Sequence, residues 1–340
     1  MTTRTPNNYI KRGYNIIVEL FFDALRAAAE LFKIIIPISI VTRFLQQWGV
    51  VDQFGQLLEP VMGLVGLPGE MGLVWATSMV TNIYGGMVVF ASVAPGLDLT
   101  VAQVTVLGTL ILVAHGLPVE LLIAQKAGTR FRAMAIIRVG GALLLGWLLH
   151  VSYQLTGTLQ QTNHALWNPA KVASTWSAWL LAEISTMAMI FLIILGLMTF
   201  LRVLKKLGIS DLMTRLLEPV LALLGMSRKA APITIVGMTL GLSYGGGLII
   251  REAQSGRLSK QDVFASVALM GLCHSIFEDT LLLMVLGAHV SGIFWGRILF
   301  SLVAVFLLAK LVKVLSPALF ERYLVRQVKS DKTATEVKCC

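Results

Sequence analysis

Apolar residues in this chain run in long blocks, with polar residues collected into short breaks between them. Windows such as Ala133–His150, Thr186–Leu201 with its flanks, and Ile293–Leu311 carry few charges or none. Each is of the order needed to cross a bilayer, which takes about 20 helical residues. Tyr9–Leu45 reads as one long, partly amphipathic helix. Its polar face, Glu19, Asp23, Arg26, Glu30 and Lys33, recurs at steps of 4, 3, 4 and 3, the period of one helix stripe. That face is expected to be solvated at the interface or packed on a partner. The segment lacks the short apolar stretch and small-residue cleavage site of a signal peptide, so it is read as retained.

The blocks repeat. Leu57-Leu58-Glu59-Pro60-Val61 returns 159 positions later as Leu216-Leu217-Glu218-Pro219-Val220. The same offset pairs Arg43 with Arg202, Gly49 with Gly208, Gly66 with Gly225, His115 with His274, Glu120 with Asp279 and Arg138 with Arg297. Tyr84-Gly85-Gly86 pairs with Tyr244-Gly245-Gly246 at an offset of 160. A duplication of this kind fixes architecture before any helix is drawn. It divides the chain into an N-terminal segment 1–12, a first repeat 13–152, a polar linker 153–171, a second repeat 172–314 and a basic tail 315–340.

Charge orients the halves. Window 43–70 holds Arg43 against Asp52, Glu59 and Glu70, whereas 202–229 holds Arg202, Lys205, Lys206, Arg215, Arg228 and Lys229 against Asp211 and Glu218. The turn 125–132 carries Lys126, Arg130 and Arg132, and its counterpart 284–291 carries no Lys or Arg. Because Lys- and Arg-rich short loops stay cytoplasmic, matching loops are expected on opposite sides, as in an inverted repeat. Inversion needs an odd number of crossings per half, yet each half has four apolar segments. The segments 69–94 and 228–254, with Gly and Tyr near their centres, are therefore expected to enter and return on one side. The fold expected is an all-α polytopic membrane protein of two inverted-topology repeats. Each repeat has a long helix, an interfacial helix at Leu-Leu-Glu-Pro, a re-entrant hairpin and two further spans. That gives about six crossings of a bacterial-type inner membrane, with both termini cytoplasmic.

Composition agrees: 56% of the 340 residues are hydrophobic and 14% charged, and the mean hydropathy is +0.79, which excludes a soluble globular class. The net charge of +10 sits in the breaks and the tail, so it reports orientation and not a nucleic-acid partner. Cys273 lies in an apolar run and Cys339-Cys340 end the sequence, a pattern that makes no secreted disulfide framework. The terminal pair matches the ends of prenylated eukaryotic tails, but on a chain that already spans the membrane several times the unmodified tail is the favoured reading.

Two groups of residues point to chemistry. Backbone that turns inside a bilayer leaves polar groups unpaired, which is tolerated only where it is buried in protein or lines a cavity. The hairpin tips around Asn82, Tyr84, Gly85 and Gly86 and around Ser243, Tyr244, Gly245 and Gly246 are therefore candidate substrate contacts. Their glycines alternatively serve only close helix packing. Mid-span His115, Glu120, His274, Glu278 and Asp279 are candidates for ion or proton coupling, because ionisable groups at that depth are costly. Gly116 and Pro118 are expected to break the first helix, while His274 and Glu278, four apart, are expected on one helix face. Imidazole with carboxylate suits a proton relay, and equally a metal held by His115, Glu120, His274 and Asp279. Arg138 and Arg297 are counter-charges or helix-end anchors, and Glu59 and Glu218 are read as structural. No ATP-hydrolysis or His-Glu-x-x-His motif is present, so an enzyme is not expected.

The ordered set, Gly-Val-Val-Asp from Gly49 and Gly-Ile-Ser-Asp from Gly208 ahead of Leu-Leu-Glu-Pro, then Asn82 or Ser243 ahead of Tyr-Gly-Gly, then a mid-span His with a following acid, resembles the Gate, or nucleoside-recognition, domain. Both halves resemble it. Spore maturation membrane proteins, the membrane part of ferrous-iron transporters and, distantly, concentrative nucleoside transporters have such domains. The resemblance implies a transport fold with paired re-entrant hairpins and no particular substrate. The expectation is a secondary transporter or facilitator of a small polar solute or ion, with no cofactor other than a bound cation and with membrane lipid around it. The alternative is a non-transporting accessory membrane protein that assembles with a partner. A homo-oligomer is compatible with either.

Overall fold

The computed structural model describes residues 6–164 and 175–326. Side chains of 6–17 and of several later residues, Asp52, Ser243 and Tyr244 among them, lie outside the described set, as do Cys339 and Cys340. The described residues are helical throughout, with no strand beyond two isolated bridges.

The duplication is visible as element order. The first half runs α1 (Pro6–Gln47), α2 (Val50–Leu64), α3 (Met71–Val80), α4 (Ile83–Val93), α5 (Val101–Val113), α6 (Leu117–Ala127) and α7 (Phe131–Thr156). The second runs α8 (Trp176–Lys206), α9 (Ile209–Leu223), α10 (Ala230–Leu240), α11 (Leu242–Gln254), α12 (Lys260–Leu272), α13 (Glu278–Val285) and α14 (Arg297–Val314), the last preceded by a π-helical turn at Ser291–Gly296. A short α15 (Pro317–Tyr323) follows. The starts of α2, α3, α4 and α5 recur 159 residues on as α9, α10, α11 and α12.

Local chemistry sets the joints. Gly49 and Gly208 both take the left-handed conformation, φ +66° and +68°, where a side chain would be strained, and this turns each long helix into the next. The Glu59 carboxylate accepts the Gly69 N–H at 2.7 Å and staples α2 to the start of α3, which is the structural role expected of it. Thr100 and Gln103 form a capping box at the start of α5. At the equivalent place in the second half, Ser259 caps α12.

Two helix pairs double back on themselves. A Cβ on Gly86 would meet Ser78, four residues to either side of Asn82, and a Cβ on Gly245 would meet Gly237, four to either side of Gly241. The glycines expected at the tips thus sit within α4 and α11, where their missing side chains let the arms touch. The turn residues themselves are Thr81–Asn82 and Gly241.

The core is formed by α5 and α12. Every residue of α12 from Asp262 to Leu272 and nearly all of α5 are buried, as expected of helices apolar on all sides. Around them, α7, α8 with its neighbour α1, and α14 turn large apolar side chains outward, including Leu155, Leu181, Leu192, Leu299 and Leu307. Among the described residues three helices are long and apolar enough to cross a membrane, within Phe131–Thr156, Trp176–Phe200 and Ser291–Val314. At most 28% of any one of their most apolar stretches is buried against protein. Helices so apolar and so little covered by protein need lipid as their solvent.

Three expected features differ in detail in the structure. First, α7 continues to Thr156, so the linker starts at Gly157 and not at 153. Its described part is held in place: Val101 donates to Gln161 and Asn163 donates from its backbone to Leu99. Second, of the six crossings expected, length and composition alone pick out three among the described residues, or four if α5 and α6 count as one broken span bent by 42°. In the second half α12 and α13 are short helices separated by a break, and α1, though 42 residues long, carries the charged stripe Glu19, Asp23, Arg26, Glu30 and Lys33. Third, the polar face of α1 is divided. Asp23 pairs with Arg202 of α8 at 2.9 Å, while Glu19, Arg26, Glu30 and Lys33 are exposed.

Candidate functional site

Both central helices stop in mid-protein. α5 ends at Val113 and α6 begins after Gly116, φ +56°, with Pro118 in its first turn. This is the break that Gly and Pro dictate. In the second half α12 ends at Leu272 and α13 begins at Glu278, and Ser275 between them has φ +45°. His274 therefore lies in the break and shares no helix face with Glu278, contrary to expectation.

Each break is tied to its own hairpin. The Gly116 N–H donates to the Ser78 carbonyl at 2.9 Å, and Ile276 N–H donates to the Met238 carbonyl at 3.0 Å. The tips adjoin the breaks, since a Cβ on Gly116 would lie 3.6 Å from the Thr81 carbonyl oxygen and one on Gly241 would meet the Ser275 hydroxyl. Tyr84 sits near enough to Glu278 and Asp279 to experience both charges. Two groups that looked separate in the sequence thus form one locus. Asn82 serves locally, accepting from the Gly85 N–H at 2.9 Å.

At this locus the two halves meet through their histidines. His115 Nδ1 lies 2.9 Å from the Ile111 carbonyl and His274 Nδ1 lies 2.8 Å from the Met270 carbonyl. A carbonyl only accepts, so each Nδ1 carries the hydrogen, and the neutral ring presents a bare Nε2. The two Nε2 atoms face each other at 3.2 Å, and Glu120 Oε1 lies 3.3 Å from one and 3.4 Å from the other. Three lone-pair atoms converge with no hydrogen among them. Such a triangle needs a hydrogen or a cation among its members: a proton on one ring or on the carboxyl group, or a bound cation. Histidines that donate their second nitrogen to backbone carbonyls are also arranged as metal ligands are. One ligand atom each from His115, His274 and Asp279, all three buried, lies within 4.8 Å of the others.

Arg138 holds the triangle in place from α7. It pairs with Glu120 Oε2 at 2.5 Å and donates to the carbonyls of Val113 and His115, both at 3.0 Å. These are carbonyls that the break in α5 frees, and inside a membrane they need a partner. Arg138 is thus both counter-charge and backbone cap. Its equivalent, Arg297, is fully buried, yet its guanidinium nitrogens have no hydrogen-bonded oxygen among the described residues and it forms no ion pair with Asp279. Asp279 Oδ2 is likewise without a hydrogen bond. Cys273, fully buried, lies beside Arg297.

Sequence reasoning missed Gly241 and Ser275, which form the second tip and break, and the carbonyls of Ser78 and Met238. The 159-residue offset from Asn82 points to Gly241; nothing in the side-chain pattern marks the carbonyls. The side chains of Ser243 and Tyr244 lie outside the described set.

A helical protein with two broken core helices, two doubled-back pairs and outward apolar spans is a membrane protein. The chain belongs to the Gate, or nucleoside-recognition, family, whose pattern matches residues 28–130. It is similar to the uncharacterized membrane protein YvoD of Bacillus subtilis, 28% identical over 281 residues, covering 80% of this chain and 88% of that one. It is also similar to the inner membrane protein YjiG of Escherichia coli K12, 31% identical over 112 residues, 32% of this chain and 67% of that one. None of these names denotes an enzyme. No solved structure matches the chain.

Proposed function

We propose that this protein is a secondary transporter or facilitator of a small polar solute or ion in the inner membrane, and that the histidine–glutamate triangle binds a cation or carries the coupling proton. In this reading the two halves have inverted topology, the hairpins are re-entrant, and both termini are cytoplasmic. The observation that carries it is the convergence of His115 Nε2, His274 Nε2 and Glu120 Oε1 at 3.2 to 3.4 Å, where a proton or a cation is required. Such a group deep in an apolar core costs stability and is retained where ions or protons pass.

The inequality of the two acid–arginine pairs supports a mechanism. Glu120–Arg138 is closed and Asp279–Arg297 is open. Exchange of the two arrangements would let one half seal while the other opens, the rocking that inverted repeats permit. Each hairpin would follow its break, because each is bonded to it.

Uptake by the full chain in proteoliposomes tests this with a panel of metals, nucleosides, amino acids and organic ions. One saturable substrate supports the reading, and failure across the panel favours the accessory role. If the triangle holds a proton, transport depends on pH and His274→Gln weakens that dependence. If it holds a metal, the same variant loses cation affinity and keeps its pH profile.

A further inference from the structure

Away from the triangle, the turn between α6 and α7 and the short α15 enclose a cleft of about 690 Å³ whose walls include Arg130, Arg132, Arg322, Arg326, Phe131 and Tyr323. A second hollow of about 410 Å³ shares three of these arginines and adds Lys260 and Glu321. Its floor is built and not incidental. Thr129 and Val325 form an antiparallel bridge, Arg130 N–H donates to the Leu324 carbonyl and Arg326 N–H to the Gly128 carbonyl, each at 2.9 Å. The Arg130 guanidinium is fixed on the Glu321 and Val325 carbonyls. Glu321, the carboxylate at the margin, is bound by Lys260. Among the described residues Arg132, Arg322 and Arg326 have no carboxylate partner, although each is placed on the same cleft.

Four guanidinium groups converging on one space exceed what a single carboxylate would balance. Planar forks of this kind match phosphate oxygens two at a time. The N-terminus of α7 begins at this turn with no side-chain cap on its first N–H groups, which adds positive potential where an anion would lie. Phe131 and Tyr323, 38% and 57% exposed, add aromatic rings to the wall of the cleft, and aromatic side chains are favoured where headgroups meet acyl chains. The volume lies in the range of about 300–1,000 Å³ typical of sites for small ligands.

We propose that this cleft is a binding site for a phosphate group, carried by an anionic phospholipid headgroup or by a soluble phosphate compound. The two sources differ in whether an acyl chain lies against α7. The site is separate from the triangle and stands or falls apart from any transport activity.

The test uses the full chain in detergent. Native mass spectrometry and thermal unfolding are followed with phosphatidylglycerol, with phosphatidylethanolamine, and with inorganic phosphate or pyrophosphate. Selective retention of and stabilisation by phosphatidylglycerol assigns the lipid source, and stabilisation by the inorganic anions assigns the soluble one. The Arg132→Gln, Arg326→Gln double variant should lose about tenfold or more in apparent affinity for the ligand that binds, while Lys206→Gln should not. Arg130 is left intact because it ties α15 down. Should the double variant unfold without ligand, single Arg132→Lys, which keeps the charge and loses the fork, gives the same comparison. Equal binding of the two lipids with no effect of the inorganic anions, or unchanged affinity in the variants, overturns the proposal.

Discussion

Arg138 and Arg297 stand at the same place in their two halves, 159 residues apart, and only Arg138 holds a carboxylate. The two should therefore respond oppositely to removal of charge. Arg138→Met strands Glu120 and two helix-end carbonyls, and a loss of about 3–5 kcal/mol is expected from breaking a buried pair. Arg297→Met removes a buried charge that holds no carboxylate, so thermal unfolding should be unchanged or raised while transport is lost. Equal destabilisation by both would show that Arg297 has a structural partner after all.

Neutral amides probe the triangle itself. Glu120→Gln and Asp279→Asn are each expected to abolish uptake and leave folded protein in the membrane, since each removes a charge facing the histidine pair. Activity near that of the wild type in both would leave the hairpin tips as the candidate site.

Side-specific labelling tests inversion. Gly55 is buried against Glu70 and Asn163 is bonded to the Leu286 carbonyl, so exposed neighbours serve better as cysteine positions. Gln56→Cys and Gln161→Cys should react with an impermeant thiol reagent from the periplasmic side, and Lys206→Cys should react only after the membrane is opened. Reaction of Gln56→Cys and Lys206→Cys from one side would end the inverted-repeat argument.

Packing of the second hairpin gives a graded test. A Cβ on Gly245 would fall on the Cα of Gly237, whereas nothing lies within 4 Å of one on Gly247. Gly245→Ala should cost about 1–3 kcal/mol by overpacking, and Gly247→Ala should be neutral or stabilising by up to ~1 kcal/mol through helix propensity. Thermal unfolding in detergent reads both.

The duplication was legible because substitution has spared side chains that do a local job in each half, such as the paired Gly49 and Gly208 and the paired His115 and His274. Period and offset carry that information directly. The helix broken at Gly116 was legible for the same reason, as glycine and proline act on their own neighbours. The break at Ser275 was not, because a serine forced to φ +45° is dictated by what surrounds it and leaves no mark in its own identity. Nor could the sequence join the tips to the histidines, since the bonds that join them come from backbone carbonyls, which every residue has. The inequality of Arg138 and Arg297 is equally invisible: identical residues at equivalent positions differ only in where the fold puts their acids.

The strap between Arg130 and α15 bears on how the molecule is made. Arg130 is bonded to the carbonyl of Glu321, 191 residues later. At ribosomal speeds of about 5–20 residues per second, that partner is synthesised roughly 10–40 s after the turn it secures. On the proposed topology, the α6–α7 turn must hold its side of the membrane through that interval by its own Lys126, Arg130 and Arg132. A truncation before Ser316 would leave the nascent first half in that condition permanently, inserted but without its last fastening.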